Sequence, residues 1–230
     1  MRFTFREGFR AGSPVLATLV AAGLCSGCVS LSSMQTARAV PDGVLRSDVA
    51  ISVVTSAPAN SGTSVFVPVP EVALRYGLGG GRDLGLKAGP LGTQFEFKQE
   101  VVNQGPLVIA VAPAAGFIFA TSAPSGTGTG SVGSVVVHLP LLFGVDLNGG
   151  HQILFGPRLS EFVYWSQSGG TSSRTVSNAA TLLGATFGIA LSTSRALVVM
   201  PEVNFATKVA GDGPQGGVGF QFGLGFMFGG

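Results

Sequence analysis

The chain has 230 residues, 46% of them hydrophobic and only 10% charged, where a water-soluble domain carries about 25% charged residues. That is too little charge for a water-facing surface, yet no uninterrupted apolar run of about 20 residues exists, so a helical membrane protein is excluded as well. A transmembrane β-barrel satisfies both constraints, because each strand needs one apolar face only and closure pairs every backbone group.

At the start of the chain, Arg2, Arg6 and Arg10 form a basic region, residues 15–24 an apolar one, and Ser26 and Gly27 are small residues directly before Cys28. That order predicts a secretory signal peptide over residues 1–27. The run Leu24-Cys25-Ser26-Gly27-Cys28 resembles a lipobox, the processing site of bacterial lipoproteins, with Cys25 standing where Leu is usual. The resemblance implies the lipoprotein-processing machinery as a partner and acylation of Cys28, palmitate included. Ordinary signal cleavage nearby is the alternative; an apolar anchor helix here is too short to span comfortably. With Cys25 removed and Cys28 acylated no thiol remains, which excludes a cysteine-based metal site or nucleophile. Three of the 13 basic and one of the 11 acidic residues lie in residues 1–27, so the rest of the chain is neutral and predicts no nucleic-acid partner.

Residues 29–43 are polar and Ser-rich and end in Pro41-Asp42-Gly43, so residues 28–43 read as a periplasmic tether closed by a turn, and residues 44–228 as the barrel. Ten strands are predicted. Side chains alternate between faces with period two, and each strand separates an apolar from a polar set. Strand one (44–54) sets Val49, Ile51 and Val53 against Arg46, Asp48 and Ser52; strand two (65–78) sets Val72, Leu74 and Tyr76 against Glu71 and Arg75. Gly79-Gly80-Gly81 lacks the Lys-Ser/Thr of a phosphate loop and no helix follows, which favours a tight hairpin. Strand three (82–89) sets Leu84 and Leu86 against Asp83 and Lys87, and strand four (91–102) sets Phe95 and Phe97 against Gln94, Glu96, Lys98 and Glu100.

Strand five (107–120) sets Ile109, Val111 and Phe117 against Ala110, Ala112 and Ala114; strand six (131–147) sets Val135, Val137 and Leu139 against Ser134, His138 and Asp146. Strand seven (152–166) sets Phe155, Leu159 and Val163 against Gln152, Arg158 and Ser160; Glu161 falls on its apolar face, which implies a bulge or a place near the membrane interface. Strand eight (179–191) sets Leu183 and Phe187 against Gly184 and Thr186, and strand nine (196–208) sets Val203 and Phe205 against Glu202, Asn204 and Lys208. In strand ten (217–228), Val218, Phe220, Phe222, Leu224, Phe226 and Phe228 share one face, and Gln221, Met227 and four glycines the other.

This last strand resembles the closing strand of bacterial outer-membrane β-barrels, which implies recognition by the barrel-assembly machinery and an all-β, antiparallel up-and-down transmembrane barrel. Connections support about ten strands. Segments 57–64, 121–130, 167–178 and 210–216 are long, segments 79–81, 103–105, 148–150 and 192–194 are short, and long alternates with short as it does between the outer and periplasmic sides of such barrels. Only Gly89-Pro90-Leu91 is short where a long loop is expected. Both termini and a lipid on Cys28 then lie on the periplasmic side of an outer membrane. Eight strands result if the N-terminal region is read differently, and a soluble lipocalin-like barrel has the same alternation with its faces reversed.

The predicted lumen face collects Arg46, Asp48, Glu71, Arg75, Lys87, Glu96, Lys98, Glu100, Arg158, Glu202 and Lys208, with Asp83 beside them and His138 and Asn204 as polar lining. Signs are roughly balanced, and charges in a narrow barrel must pair or be hydrated. The set reads as a salt-bridge network that plugs the lumen and gives the barrel a structural, membrane-integrity role. The alternative is a narrow channel or transporter for small or apolar solutes, with charge rings for selectivity; a third is an outer-membrane lipid hydrolase. For that third reading the chemistry is thin. The His-x-Ser spacing of outer-membrane lipid hydrolases is absent, since Pro140 follows His138 and Ile153 follows His151 at that position, although a cross-strand pairing of His138 with Ser160 and an inward acid stays open. No metal site, cofactor or catalytic residue is predicted, and outer-membrane lipid is the expected surrounding.

Overall fold

The computed structural model describes residues 32–57, 65–90, 92–122, 130–168, 174–194, 196–211 and 218–229; the signal-peptide region and Cys28 lie outside them. The described residues form eleven strand segments: β1 (Leu45–Ala57), β2 (Val65–Gly79), β3 (Arg82–Gly89), β4 (Gly92–Gln104), β5 (Leu107–Val111), β6 (Ala114–Ser122), β7 (Gly130–Asp146), β8 (Gln152–Ser168), β9 (Arg174–Ser194), β10 (Leu197–Gly211) and β11 (Val218–Phe228). A single turn of 3-10 helix, Asn148–Gly150, joins β7 to β8. No helix of the described residues is long and apolar enough to cross a membrane.

Neighbouring strands pair antiparallel, β1 with β11 and β3 with β4, so the sheet closes on itself. β5 and β6 are two halves of one stave, both lying between β4 and β7, which makes a closed barrel of ten strands. The predicted fifth strand is therefore interrupted at Ala112-Pro113, because Pro113 has no N–H to donate. The ladder still bridges the gap, with the Phe97 N–H donating to Pro113 O at 2.9 Å and the Ala112 N–H to Pro140 O at 3.1 Å.

The faces settle the choice between lipid and water. Leu45, Val72, Phe95 and Phe222 stand outward and are at least half exposed, whereas Asp48, Arg75, Asp83 and Lys98 are at most 1% exposed on the inner face. A lipocalin-like barrel would show the reverse. Several strands run further than their sequence patterns suggest: β9 spans 21 residues and takes up part of the predicted loop 167–178. Glu161 shows no bulge; it stands in unbroken register between Val137 and Thr181, exposed on the outer face, with the Thr181 hydroxyl donating to it at 2.7 Å. The wall is lowest at the β3–β4 hairpin, since β3 has only 8 residues and β2 meets it only from Val72 onward.

The largest correction concerns the predicted tether. Ser32, Ser33, Met34, Gln35, Ala37 and Val40 are all buried, packed inside the barrel rather than running free beneath it. The physical reason is pairing: buried polar groups need hydrogen-bond partners, and the segment's backbone supplies donors and acceptors to the charged side chains of the lumen. At the rim the segment turns through Pro41-Asp42-Gly43, where the Val44 N–H donates to Pro41 O at 3.1 Å and the Gly43 N–H to Gly77 O at 3.1 Å. Gly77 is required there, because a Cβ on it would lie 1.9 Å from Pro41 O.

Candidate functional site

Among the described residues buried polar groups converge in the lumen, and two wall sectors with a segment between them build it. In the first sector, period-two alternation on β1 to β4 turns Arg46, Asp48, Glu71, Arg75, Asp83, Lys87, Glu96 and Lys98 inward, all buried. Arg75 is the hub: its guanidinium pairs with Asp48 at 3.6 Å, with Asp83 at 3.3 Å and with Glu96. Lys98 reaches Asp83 at 3.0 Å, Arg46 reaches Asp48 at 3.0 Å, and Lys87 lies 3.8 Å from Glu71. Gly85 leaves room for the hub, since a Cβ on it would lie 3.1 Å from the Arg75 guanidinium.

The second sector, β7 to β11 with β5, is mostly neutral. His138 Nδ1 and Ser160 Oγ are 2.7 Å apart, Gln221 Nε2 donates to Ser52 Oγ at 2.7 Å, Thr186 Oγ1 donates to Asn204 Oδ1, and Asn204 Nδ2 donates to Glu202 at 3.0 Å. An apolar cluster of Val108, Ala110, Leu142, Leu154, Met200 and Met227 lies in the same sector, with Ala37 of the lumen segment packed into it. Gly144 allows that approach, because a Cβ there would fall 2.6 Å from Ala37 Cβ.

Residues 32–40 occupy the space between the sectors, and the wall holds them mainly by their backbone. Lys87 Nζ donates to Ser32 O at 2.7 Å and Lys98 Nζ to Thr36 O at 3.1 Å. The N–H of Met34 donates to Glu202 at 3.1 Å, that of Ala37 to Gln152 at 2.8 Å, that of Ala39 to Glu100 at 2.6 Å and that of Val40 to Asp83 at 2.9 Å. Ser33 Oγ also donates to Glu202, at 3.1 Å. Met34 has a positive φ of 40°, a left-handed conformation that costs an L-residue roughly 1–2 kcal/mol and is retained here by burial and the bond to Glu202. Near the rim, the Arg38 Nε donates to Asp146 at 2.6 Å and its Nη1 to Asn103 at 3.4 Å, while Asn103 Nδ2 donates to Glu100 at 2.8 Å.

Of the predicted lumen residues, Arg158, Glu202, His138 and Asn204 are also buried on the inner face, while Glu100 and Lys208 are only partly buried. Sequence reasoning missed the lumen segment together with Gln152 and Asp146 as its partners. The available signal was weak: Met34, Ala37 and Val40 recur at every third position in an otherwise polar stretch. The pairing of His138 with Ser160 that the sequence left open is formed, but no described carboxylate bonds the imidazole, its Nε2 has no described hydrogen-bond partner, and both residues are at most 2% exposed. As it stands this is a hydrogen-bonded pair closed to any substrate, lacking an orienting acid. No cluster of three or more potential metal ligands occurs among the described residues.

No family model and no curated protein matches the chain. Solved structures similar to it are barrels of low sequence identity. Neisserial surface protein A is 12% identical, with 81% of this chain and 99% of that one covered and a TM-score of 0.45. The attachment invasion locus protein Ail of Yersinia pestis is 10% identical over 81% and 99%, with a TM-score of 0.41. The translocator domain of the autotransporter NalP from Neisseria meningitidis is 11% identical over 93% and 96%, with a TM-score of 0.47.

Proposed function

We propose that this chain is a structural barrel of a bacterial outer membrane, contributing to envelope integrity with a lumen that is closed at rest. The observation that carries this reading is the lumen segment: six backbone groups of residues 32–40 are bonded by wall side chains, so a stretch of irregular chain fills the space a solute would need. Support for the membrane comes from the exterior. Its apolar band includes Tyr76 near the short-turn rim and Trp165 toward the long-loop end, where amphipathic aromatic rings favour the headgroup level.

Planar-bilayer recording of the refolded chain tests the reading. It predicts a protein whose gel migration shifts on heating but which passes no current steps; steps from the unmodified chain would overturn the closed state. Acylation at Cys28 is proposed from the lipobox-like run alone. Three residues separate Cys28 from Ser32, a reach of at most about 14 Å over the four steps between them. Incorporation of labelled palmitate that Cys28→Ser abolishes is the expected result, and equal incorporation in both would refute it.

A further inference from the structure

We infer that residues 32–40 are a displaceable gate over a latent cation pathway, with the Arg38 guanidinium standing in its mouth as a tethered cation. The inference builds on the closed state proposed above and goes beyond it. Three observations carry it.

The segment is held as a ligand is held, not as a stave. Among the described residues, 32–40 make no strand-type pairing, and the isolated bridge between Asp42 and Gly77 follows them at the rim; deeper in, wall side chains contact the segment's backbone. The wall, in turn, is complete without it. The ladder closes through β1–β11 and β3–β4, and Arg75 keeps Asp48, Asp83 and Glu96 as partners within the wall itself. Withdrawal of the segment therefore opens the space it fills and leaves the barrel intact.

The groups released are unequal in sign. Glu202, Asp83, Glu100 and Asp146 each lose a donor, whereas Lys87 and Lys98 lose only carbonyl acceptors, and Arg38 departs with the segment. Four carboxylates and two ammonium groups are uncovered; with the wall's own Arg46, Arg75, Arg158 and Lys208 and its Asp48, Glu71 and Glu96 counted as well, seven carboxylates face six basic groups, an excess of one negative charge. Acidic residues also mark the short-turn end: Asp146 closes β7, Asp83 is the second residue of β3, and the Glu100 N–H donates to Gly81 O in the β2–β3 turn at 2.7 Å. Acidic side chains lining a pore select cations. Arg38, paired with Asp146 and bonded to Asn103, occupies the site where such a cation would enter.

The test compares, in planar bilayers under a KCl gradient, the full chain, a variant lacking everything before Pro41, and full-length Arg38→Glu. A silent full chain, a truncated variant with discrete steps and a reversal potential of cation sign, and block of those steps by a synthetic peptide of residues 32–43 are expected. Arg38→Glu repels Asp146 and should show discrete openings under conditions in which the parent shows none. A truncated variant that shows the heat-dependent gel shift yet stays silent, prefers anions or ignores the peptide overturns the gate. If the truncated variant does not fold, Arg38→Glu decides: openings support the proposal and silence overturns it. Steps from the unmodified chain would instead count against the closed resting state, so the two readings fail separately.

Discussion

The two sectors of the lumen wall solve the same problem by different means. On β1 to β4 the buried groups are formal charges that satisfy one another, with Arg75 shared among three carboxylates and Asp83 shared between Arg75, Lys98 and the Val40 N–H. On β7 to β11 neutral pairs over an apolar cluster predominate, beside fewer charges: Arg158 is buried, Asp146 accepts from Arg38 and Gln152, and Glu202 accepts from Asn204 and the lumen segment. Ion pairs packed away from water are costly to break, because removing one partner strands the other, while a neutral pair leaves behind only an unsatisfied dipole. The charged sector should therefore dominate stability, and the neutral sector should tolerate replacement.

Asp83→Ala is the most severe way to break that contrast. It leaves Lys98 without its closest anion, removes one of the three carboxylates of Arg75, and frees the Val40 N–H. Loss of one partner of a buried pair costs about 3–5 kcal/mol. The expected outcome is a large fall in the urea midpoint of the barrel refolded into lipid vesicles; a midpoint within error of the parent would mean that the charged sector is hydrated and contributes little.

How much of this was legible before the structure follows from period two. Alternation assigns each strand residue to a face, so Arg46, Arg75, Lys98, Arg158 and Glu202 could be placed inward from sequence, as could the outward Phe220 and Phe222. Partners are another matter. Arg75 meets Asp83 because β2 and β3 are offset by the three-glycine turn, and it meets Glu96 two strands away, which depends on tilt and register that no single strand encodes. The lumen segment was illegible for a different reason: it has no alternation to read, its wall contacts fall largely on backbone atoms that every residue shares, and its small side chains look like those of any linker. Proline was a further blind spot, since Pro113 splits a stave whose apolar pattern continues through it.

The neutral sector can be probed at its most isolated pair. Ser160→Ala removes the described partner of His138 Nδ1 while the ring stays buried against Phe162, with ring centroids 5.8 Å apart. An orphaned buried polar group costs about 1–3 kcal/mol, whereas replacing both partners with apolar groups is close to neutral. The double variant His138→Leu/Ser160→Ala should thus unfold nearer to the parent midpoint than Ser160→Ala alone. A double variant worse than either single would show that the imidazole does more than pair with this serine, and would weaken the distinction between the sectors.

The smallest effect is expected on the outside of that same neutral wall, where Glu161 is exposed beside the outward Val137, Leu159 and Val163. Its carboxylate keeps the Thr181 hydroxyl and contributes nothing to the lumen, so Glu161→Leu leaves the interior untouched and changes only the lipid-facing surface. A charge on this face is destabilising in proportion to its depth, less for an acid than for Lys or Arg, and near an interface the cost is within about 1 kcal/mol. In bilayers, Glu161→Leu should raise stability by less than that amount, and the gain should grow in lipids with longer acyl chains, which carry the apolar band up to this level of β8. A loss of stability would mean that the bond to Thr181 ties β8 to β9, adding a polar fastening on the outer face of the neutral wall to those its inner face already has.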